Sequence, residues 1–133
     1  MIRVEHVASR QPPAAIGAVH LGLGAFHRAH QAVYLERYRQ RSGDDSWGLC
    51  SANLRSNVGL VDRLQKAGGR YHVAEYADSE HISLREIGVL RETLFTGRDD
   101  AGTWGRDLAA LLQRMHSPEV RIVILTVTRR ATS

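Results

Sequence analysis

Two closely spaced glycines, Gly22 and Gly24, are the residues whose type and spacing best suit chemistry with a bound anion. They follow the apolar run Ile16–Leu21, which is typical of a short buried strand, and the polar residues after them indicate the start of a helix. Glycine lets the backbone approach an anion closely, and a helix N-terminus presents free N–H groups to it. This order therefore predicts a phosphate-binding strand–turn–helix unit.

The glycine spacing matches part of a known motif. It satisfies the first two positions of the dinucleotide pattern G-x-G-x-x-G, while His27 occupies the third glycine position. A tight turn without any ligand has the same local sequence. The strand before the turn and the helix after it favour dinucleotide binding over that alternative.

The residues that choose between NAD and NADP lie at the end of the second predicted strand in folds of this kind. That position holds Asn53, with Arg55 just beyond it, and no acidic residue. Asp44 and Asp45 have the right offset from the glycines but precede the strand, so we expect them at its other end. Asn53 can bond a ribose hydroxyl and Arg55 can pair with a 2′-phosphate, so both cofactors remain open.

Three further residues are candidate ligand contacts. Arg28 lies near the predicted helix N-terminus, where it either binds a phosphate or faces solvent. Thr126 and Thr128 end the last predicted strand, at the edge where open α/β sheets bind ligands. Strand propensity alone also explains these threonines, so either interpretation holds for them.

The residue types needed for metal binding or catalysis do not form a site in the sequence pattern. His27 and His30 are spaced to share one helical face, but no third ligand is evident, so no metal is predicted. Lys66 is the only lysine and lies on a helix far from the glycine turn. We therefore predict a place to hold a cofactor and no catalytic residue.

The composition indicates one folded domain in a reducing compartment. The chain has 133 residues, 43% of them hydrophobic, and 18 Lys and Arg against 14 Asp and Glu. The basic residues are spread along the chain, which favours a solvated surface over nucleic-acid binding. Cys50 is the only cysteine and lies in an apolar run, typical of a buried structural thiol. No signal peptide or membrane span is apparent, so we expect a soluble, cytoplasmic protein.

The elements that must position these residues follow from the hydrophobic periodicity. The chain begins with a polar lead-in arm and ends with an apolar, β-branched run typical of a strand buried in a parallel sheet. The predicted elements are strand 16–21, helix 25–41, strand 47–52, helix 58–67, a hairpin of strands 71–76 and 82–90, helix 104–115 and strand 120–127. The fold class is therefore α/β, an incomplete Rossmann-like parallel sheet with an inserted β-hairpin. Apolar faces left uncovered, including that of Tyr34 and Tyr38, make self-association possible.

The glycine region resembles a known family. The run VHLGLGAFHRAHQAVY at residues 19–34 resembles the N-terminal domain of the mannitol dehydrogenase family, polyol-specific long-chain dehydrogenases that include fructuronate and tagaturonate reductases. WGLC and NLR within residues 47–55 and LTVT at residues 125–128 agree with it in order. The resemblance covers residues 16–128.

The resemblance implies a Rossmann domain that binds NAD(H), or NADP(H) in some members, without a metal. It implies hydride transfer between a polyol or a sugar-acid hydroxyl and the corresponding ketone. The glycine turn, with Ala25 and Phe26, would contact the cofactor phosphates.

The sequence also departs from the family. Members are much longer, usually continue with Glu-Lys-Gly-Tyr after the Thr-Val-Thr strand, and carry a catalytic lysine, supported by an asparagine and a histidine, in a separate helical domain. Here RRATS follows at residues 129–133. We therefore expect an arm at 1–15, a partial dinucleotide-binding domain at 16–128 and an aberrant or truncated tail at 129–133. The chain is then the cofactor-binding part of the enzyme; the alternative is a non-catalytic nucleotide-binding module or a non-functional gene fragment.

Overall fold

A computed structural model describes residues 2–9, 12–23, 27–55 and 57–125, apart from the side chains of His27 and Ala29. Within these ranges the chain forms strands and helices that alternate along most of its length. In chain order they are β1 (Arg3–Val7), β2 (Ile16–Leu21), a π-helical turn (His27–Gln31), α1 (Ala32–Ser42), β3 (Gly48–Asn53), α2 (Val58–Lys66), β4 (Tyr71–Tyr76), β5 (His81–Ile87), β6 (Leu90–Phe95), α3 (Leu108–Met115) and β7 (Ile122–Leu125). No helix in the described ranges is long and apolar enough to cross a membrane.

A four-stranded parallel sheet forms the centre of the fold, in the order β6-β3-β2-β7. The chain runs from β2 outward through β3 to β6, and then returns to place β7 on the other side of β2. This is the order of the first four strands, 3-2-1-4, of a doubly wound sheet. The predicted fold class, a mixed α/β fold with a Rossmann-like parallel sheet, is confirmed.

Both faces of this sheet are packed, because neighbouring strand residues point to opposite sides. Ala18 and Leu49 face one side, with residues of α1 and α2 such as Val61. Val19 and Cys50 face the other side, where Leu111 of α3 packs against them. Helices on both faces explain why β2 and β3 consist mostly of apolar and small residues, with His20 as a buried exception.

A second, three-stranded sheet contains the predicted hairpin. Strands β4 and β5 pair antiparallel, as expected, and β1 pairs parallel to β5 with Arg3 opposite His81. The segment 1–15 therefore contains a strand that the sequence pattern did not indicate. Four of the five residues of β1 are exposed, so its own hydrophobicity carries little signal.

The single strand predicted at 82–90 is wrong. Strand β5 ends at Ile87, and β6 starts at Leu90 in the other sheet. Gly88 separates them at a close backbone approach, where an added Cβ would lie 2.4 Å from the Ser9 hydroxyl oxygen. The chain changes sheets at this glycine.

Two other predictions need correction. The helix expected from Trp104 starts at Leu108, and Trp104 instead forms an isolated bridge with Arg98 and is 71% exposed. The last strand is parallel, as expected, but it is an edge strand and not a buried one. Leu125 is 59% exposed because β2 pairs with only one side of β7 and no described helix covers it.

Candidate functional site

The carboxyl ends of the four parallel strands lie along one edge of the sheet. Leu21 is opposite Ala52 on β3 and opposite Leu125 on β7, so the chain leaves β2 at the point where the strand order reverses. Open α/β sheets bind ligands in the crevice at such a point. The glycine turn begins there, one residue beyond Leu21.

Gly22 allows the turn because its backbone adopts a positive φ. Its φ is +127°, a value that residues with a side chain rarely adopt, although a Cβ would have room beside the His20 ring at 3.5 Å. The N–H of Gly22 donates to the carbonyl oxygen of Ala52 at 2.6 Å. The Gly22 N–H is therefore used to hold the start of the turn against β3.

Asn53 lies directly beside the turn, as the end of β3 should. Its Oδ1 accepts a hydrogen bond from the backbone N–H of Leu23 at 2.6 Å. The Nδ2 group has no hydrogen-bond acceptor among the residues that the structure describes. The structure thus brings Asn53 and the glycine turn together through a bond that the sequence pattern did not indicate.

Arg55 follows β3 at the same edge and is exposed. The loop after β6 packs against it, since a Cβ on Gly97 would lie 3.0 Å from the Arg55 Cα. The Thr96 N–H also donates to the Asn53 carbonyl oxygen at 3.0 Å. The loop after β6 therefore contacts the backbone at Asn53 and Arg55, while the Arg55 side chain is exposed.

Arg28 lies in the turn of helix that leads into α1. Its carbonyl oxygen accepts a hydrogen bond from the Tyr71 hydroxyl at 2.8 Å, which fixes its backbone. Burial raises the pKa of Tyr71, so the hydroxyl keeps its proton for this bond. The Nε atom of Arg28 is buried and has no hydrogen-bond partner in the described part of the chain. An unpaired buried donor after a glycine turn fits a phosphate-bearing cofactor.

His20 is a site residue that the sequence pattern missed. Its side chain is fully buried, and its Nδ1 bonds the carbonyl oxygen of Gly22. Burial lowers the pKa of His20, although the bond to Gly22 opposes this shift. The sequence feature that could have identified it is a histidine in an otherwise apolar strand, two residues before the first glycine of the turn.

The remaining predictions concern residues of two kinds. Gly24, Ala25, Phe26, Thr126 and Thr128 lie outside the described residues. Cys50 is buried, as expected, and burial raises the pKa of its thiol, so it is a structural residue. Across the described ranges, no three histidine, cysteine, aspartate or glutamate side chains group as metal ligands.

The strand order, the glycine at positive φ and the ligand crevice define a dinucleotide-binding domain of the Rossmann type. A family model, the Mannitol dehydrogenase Rossmann domain, matches residues 16–131. The chain belongs to this family.

Relatives of known activity and structure agree with that assignment. The chain is 39% identical over 114 residues to D-mannonate oxidoreductase from Escherichia coli (strain K12), covering 84% of this chain and 22% of that protein. It is 32% identical over 111 residues to D-arabinitol 4-dehydrogenase from Klebsiella pneumoniae, covering 83% and 22%. The fold matches Pseudomonas fluorescens mannitol 2-dehydrogenase, solved as a ternary complex with NAD and D-mannitol, with a TM-score of 0.73 and 30% identity. That match covers 92% of this chain and 24% of the enzyme, so this chain spans about a quarter of its length or less.

Proposed function

We propose that this chain holds a nicotinamide dinucleotide, NAD first and NADP as the alternative, for an oxidoreductase that acts on a polyol or a sugar acid. The bound nicotinamide would supply or accept the hydride, as in mannitol/fructose or mannonate/fructuronate conversion. The chain contributes binding and orientation, and the groups that move the proton lie outside it. Alone, it is expected to bind the cofactor without turnover.

The observation that carries this proposal is the Nε of Arg28, which follows the glycine turn in sequence, is buried, and has no hydrogen-bond partner among the described residues. A cation there would bond a cofactor phosphate oxygen with a charge-assisted hydrogen bond. Gly22, Gly24, Ala25 and Phe26 would let the backbone approach the same phosphates. Asn53 would donate its Nδ2–H to a ribose hydroxyl, and the hydroxyls of Thr126 and Thr128 would line the crevice.

The preference for NAD is supported by the mannitol 2-dehydrogenase complex, whose bound cofactor is NAD. Arg55 is the residue that would favour NADP, because its exposed guanidinium at the end of β3 can pair with a 2′-phosphate. Arg55→Ala should therefore weaken NADPH binding and leave NADH binding unchanged. We expect the protein to work in the cytoplasm, which agrees with its single, reduced and buried cysteine.

The proposal also includes self-association through apolar surface. Leu108, Leu112 and Met115 of α3 are exposed by 45%, 51% and 38%, and Leu125 of β7 is 59% exposed. On the other face of the sheet, a groove between α1 and β7 is lined by Tyr34, Leu35, Ile122 and Ile124. Contiguous apolar surface of this kind favours association in water.

The test is a titration of the purified chain with NADH and NADPH, followed by quenching of tryptophan fluorescence. Saturable binding is expected, and Arg28→Ala should weaken it roughly tenfold, the loss of one charge-assisted hydrogen bond. Arg41→Ala is the matched control, because Arg41 is exposed near the other end of the same helix. Absence of binding would overturn the proposal. Oxidation of mannitol or mannonate, or reduction of fructose or fructuronate, would show that the chemistry lies within this chain.

A further inference from the structure

Two side chains from neighbouring strands hold the first part of the glycine turn. The Nδ1 of His20, on β2, bonds the carbonyl oxygen of Gly22. The Oδ1 of Asn53, at the end of β3, accepts from the N–H of Leu23 at 2.6 Å. The two hydrogen bonds hold both polar groups of one peptide unit, the carbonyl of Gly22 and the N–H of Leu23.

This peptide unit links the sheet to the candidate cofactor site. The N–H of Gly22 donates to the Ala52 carbonyl oxygen at 2.6 Å, so the backbone is held against β3 immediately before the Gly22–Leu23 peptide. Leu23, which provides the N–H of this peptide, is 1% exposed and lies in the core. The direction in which the chain leaves the sheet toward the phosphate-binding residues is therefore set by this peptide.

The hydrogen bond to Gly22 determines which ring nitrogen of His20 carries a proton. A carbonyl oxygen only accepts hydrogen bonds, so Nδ1 must carry a proton. The ring is fully buried, and burial disfavours the charged form. His20 is then a neutral imidazole with its proton on Nδ1, and the histidine acts as a fixed donor to the turn.

We propose that His20 is a positioning residue for dinucleotide binding, acting with Asn53 through the Gly22–Leu23 peptide and not by touching the cofactor. This rests on the proposed function. The role differs from core packing, because it requires a donor at the Nδ1 position and not only a side chain of the right volume.

Three variants separate the two roles. His20→Leu keeps a buried side chain but removes the donor, and should weaken NADH binding roughly tenfold, the effect of one lost hydrogen bond. His20→Asn retains an N–H close to the Nδ1 position and should restore most of the affinity. His72→Leu is the matched control, since His72 is exposed on β4 of the other sheet, and it should bind NADH as the parent chain does.

The results distinguish the failure of this inference from that of the proposed function. If the parent chain does not bind NADH, the proposed function fails. If the parent chain binds and His20→Leu binds equally well, or His20→Asn fails to restore binding lost in a folded His20→Leu, the positioning role is wrong. A circular-dichroism melt establishes that each variant is folded.

One measurement needs no variant. Nitrogen-15 NMR of the imidazole in the parent chain separates the two neutral tautomers. We expect a neutral ring with Nδ1 protonated, both free and with NADH. A proton on Nε2 alone would overturn the inference even if His20→Leu does not fold.

Discussion

The guanidinium of Arg121 lies over the indole ring of Trp47, with its central carbon 3.9 Å from the ring centroid. The same side chain donates to the Ser46 hydroxyl at 2.7 Å, and the Arg121 backbone N–H donates to the Gly17 carbonyl at 2.8 Å. Arg121 precedes β7, while Trp47 precedes β3. This contact therefore ties the last described strand to the amino-terminal edge of the sheet.

Arg121→Ala should lower the free energy of unfolding by about 1–2.5 kcal/mol, the sum of an exposed cation–π contact and one hydrogen bond. Arg121→Lys keeps a cation over the ring and should lose about half as much. Urea unfolding followed by tryptophan fluorescence measures both. Arg63→Ala, at an exposed arginine of α2, is the control; an equal effect from both alanine variants would contradict this role of Arg121.

The glycine pair after α2 allows a matched comparison of backbone strain and steric clash. Gly68 and Gly69 have φ values of +65° and +79°. A Cβ on Gly68 meets nothing within 4 Å, whereas a Cβ on Gly69 would lie 2.0 Å from the Leu90 carbonyl oxygen.

Gly68→Ala should therefore cost about 1–2 kcal/mol, the strain of a left-handed alanine. Gly69→Ala adds the clash with β6 and should cost about 2–5 kcal/mol. Thermal melts of the two variants give the comparison. Equal melting temperatures would show that the backbone of β6 is not held against this turn.

Glu36 of α1 is a buried carboxylate that joins the two sheets. Its side chain is fully buried and accepts from the Gly88 N–H at 2.7 Å, from the Ser9 hydroxyl and from Arg39 at 3.4 Å. Glu36→Ala should lower the free energy of unfolding by about 2–4 kcal/mol, because it removes one of two carboxylates that pair with the buried Arg39 guanidinium and leaves the Gly88 N–H without its acceptor. Glu80→Ala, at an exposed residue, should change it by less than about 0.5 kcal/mol. Urea midpoints that coincide for the two variants would refute the role of Glu36.

The pH dependence of stability should report the buried His20. The fold lowers its pKa from the ordinary value of 6.5, so below that pH the unfolded chain binds a proton that the folded chain resists. The stability that depends on neutral His20 is present above about pH 6.5 and is lost as the pH falls further.

As the pH falls from 8 to 5, the unfolding free energy of the parent chain should therefore decrease relative to that of His20→Asn. Urea unfolding at four pH values measures it, since the other titrating groups cancel in the difference. A difference that is constant with pH would contradict the lowered pKa.

Self-association should depend on the exposed stripe of α3. Leu112→Lys places a charge at a side chain that is 51% exposed, so it should reduce hydrophobic-dye binding and shift sedimentation toward the monomer without unfolding the chain. Ile2→Lys is the control, at an apolar residue that is 61% exposed but precedes β1. If the parent chain sediments as a monomer and binds no dye, the association proposal is wrong.

The local pattern was enough to predict the elements that position the candidate site. Strand β2 has the predicted bounds, because an apolar run ends at a glycine, and the antiparallel hairpin follows from β-forming residues around a polar turn. Asn53 is predicted at the end of the second parallel strand, and the structure ends β3 at that residue, whereas its bond to the Leu23 N–H is not predictable from the local pattern.

The parts that were missed depend on distant residues. Strand β1 is mostly exposed and forms by pairing with β5, so its own sequence gives no periodic signal. Glu36 is charged, and nothing local shows that Ser9 and Gly88 will supply its partners. The role of His20 depends on the carbonyl direction of Gly22, which follows from a backbone angle and not from residue type.

The pairing of β1 with β5 has a consequence for the order of folding. Arg3 meets His81, whereas β4 and β5 meet across a short turn, with Tyr76 opposite Ile82. Closing a long loop has a larger entropic cost than closing a short one, so the hairpin can form early and β1 can join only after the intervening chain is organised. Strand β1 is thus expected to be among the last strands to dock, and the Ser9 contact with Glu36 forms when it does.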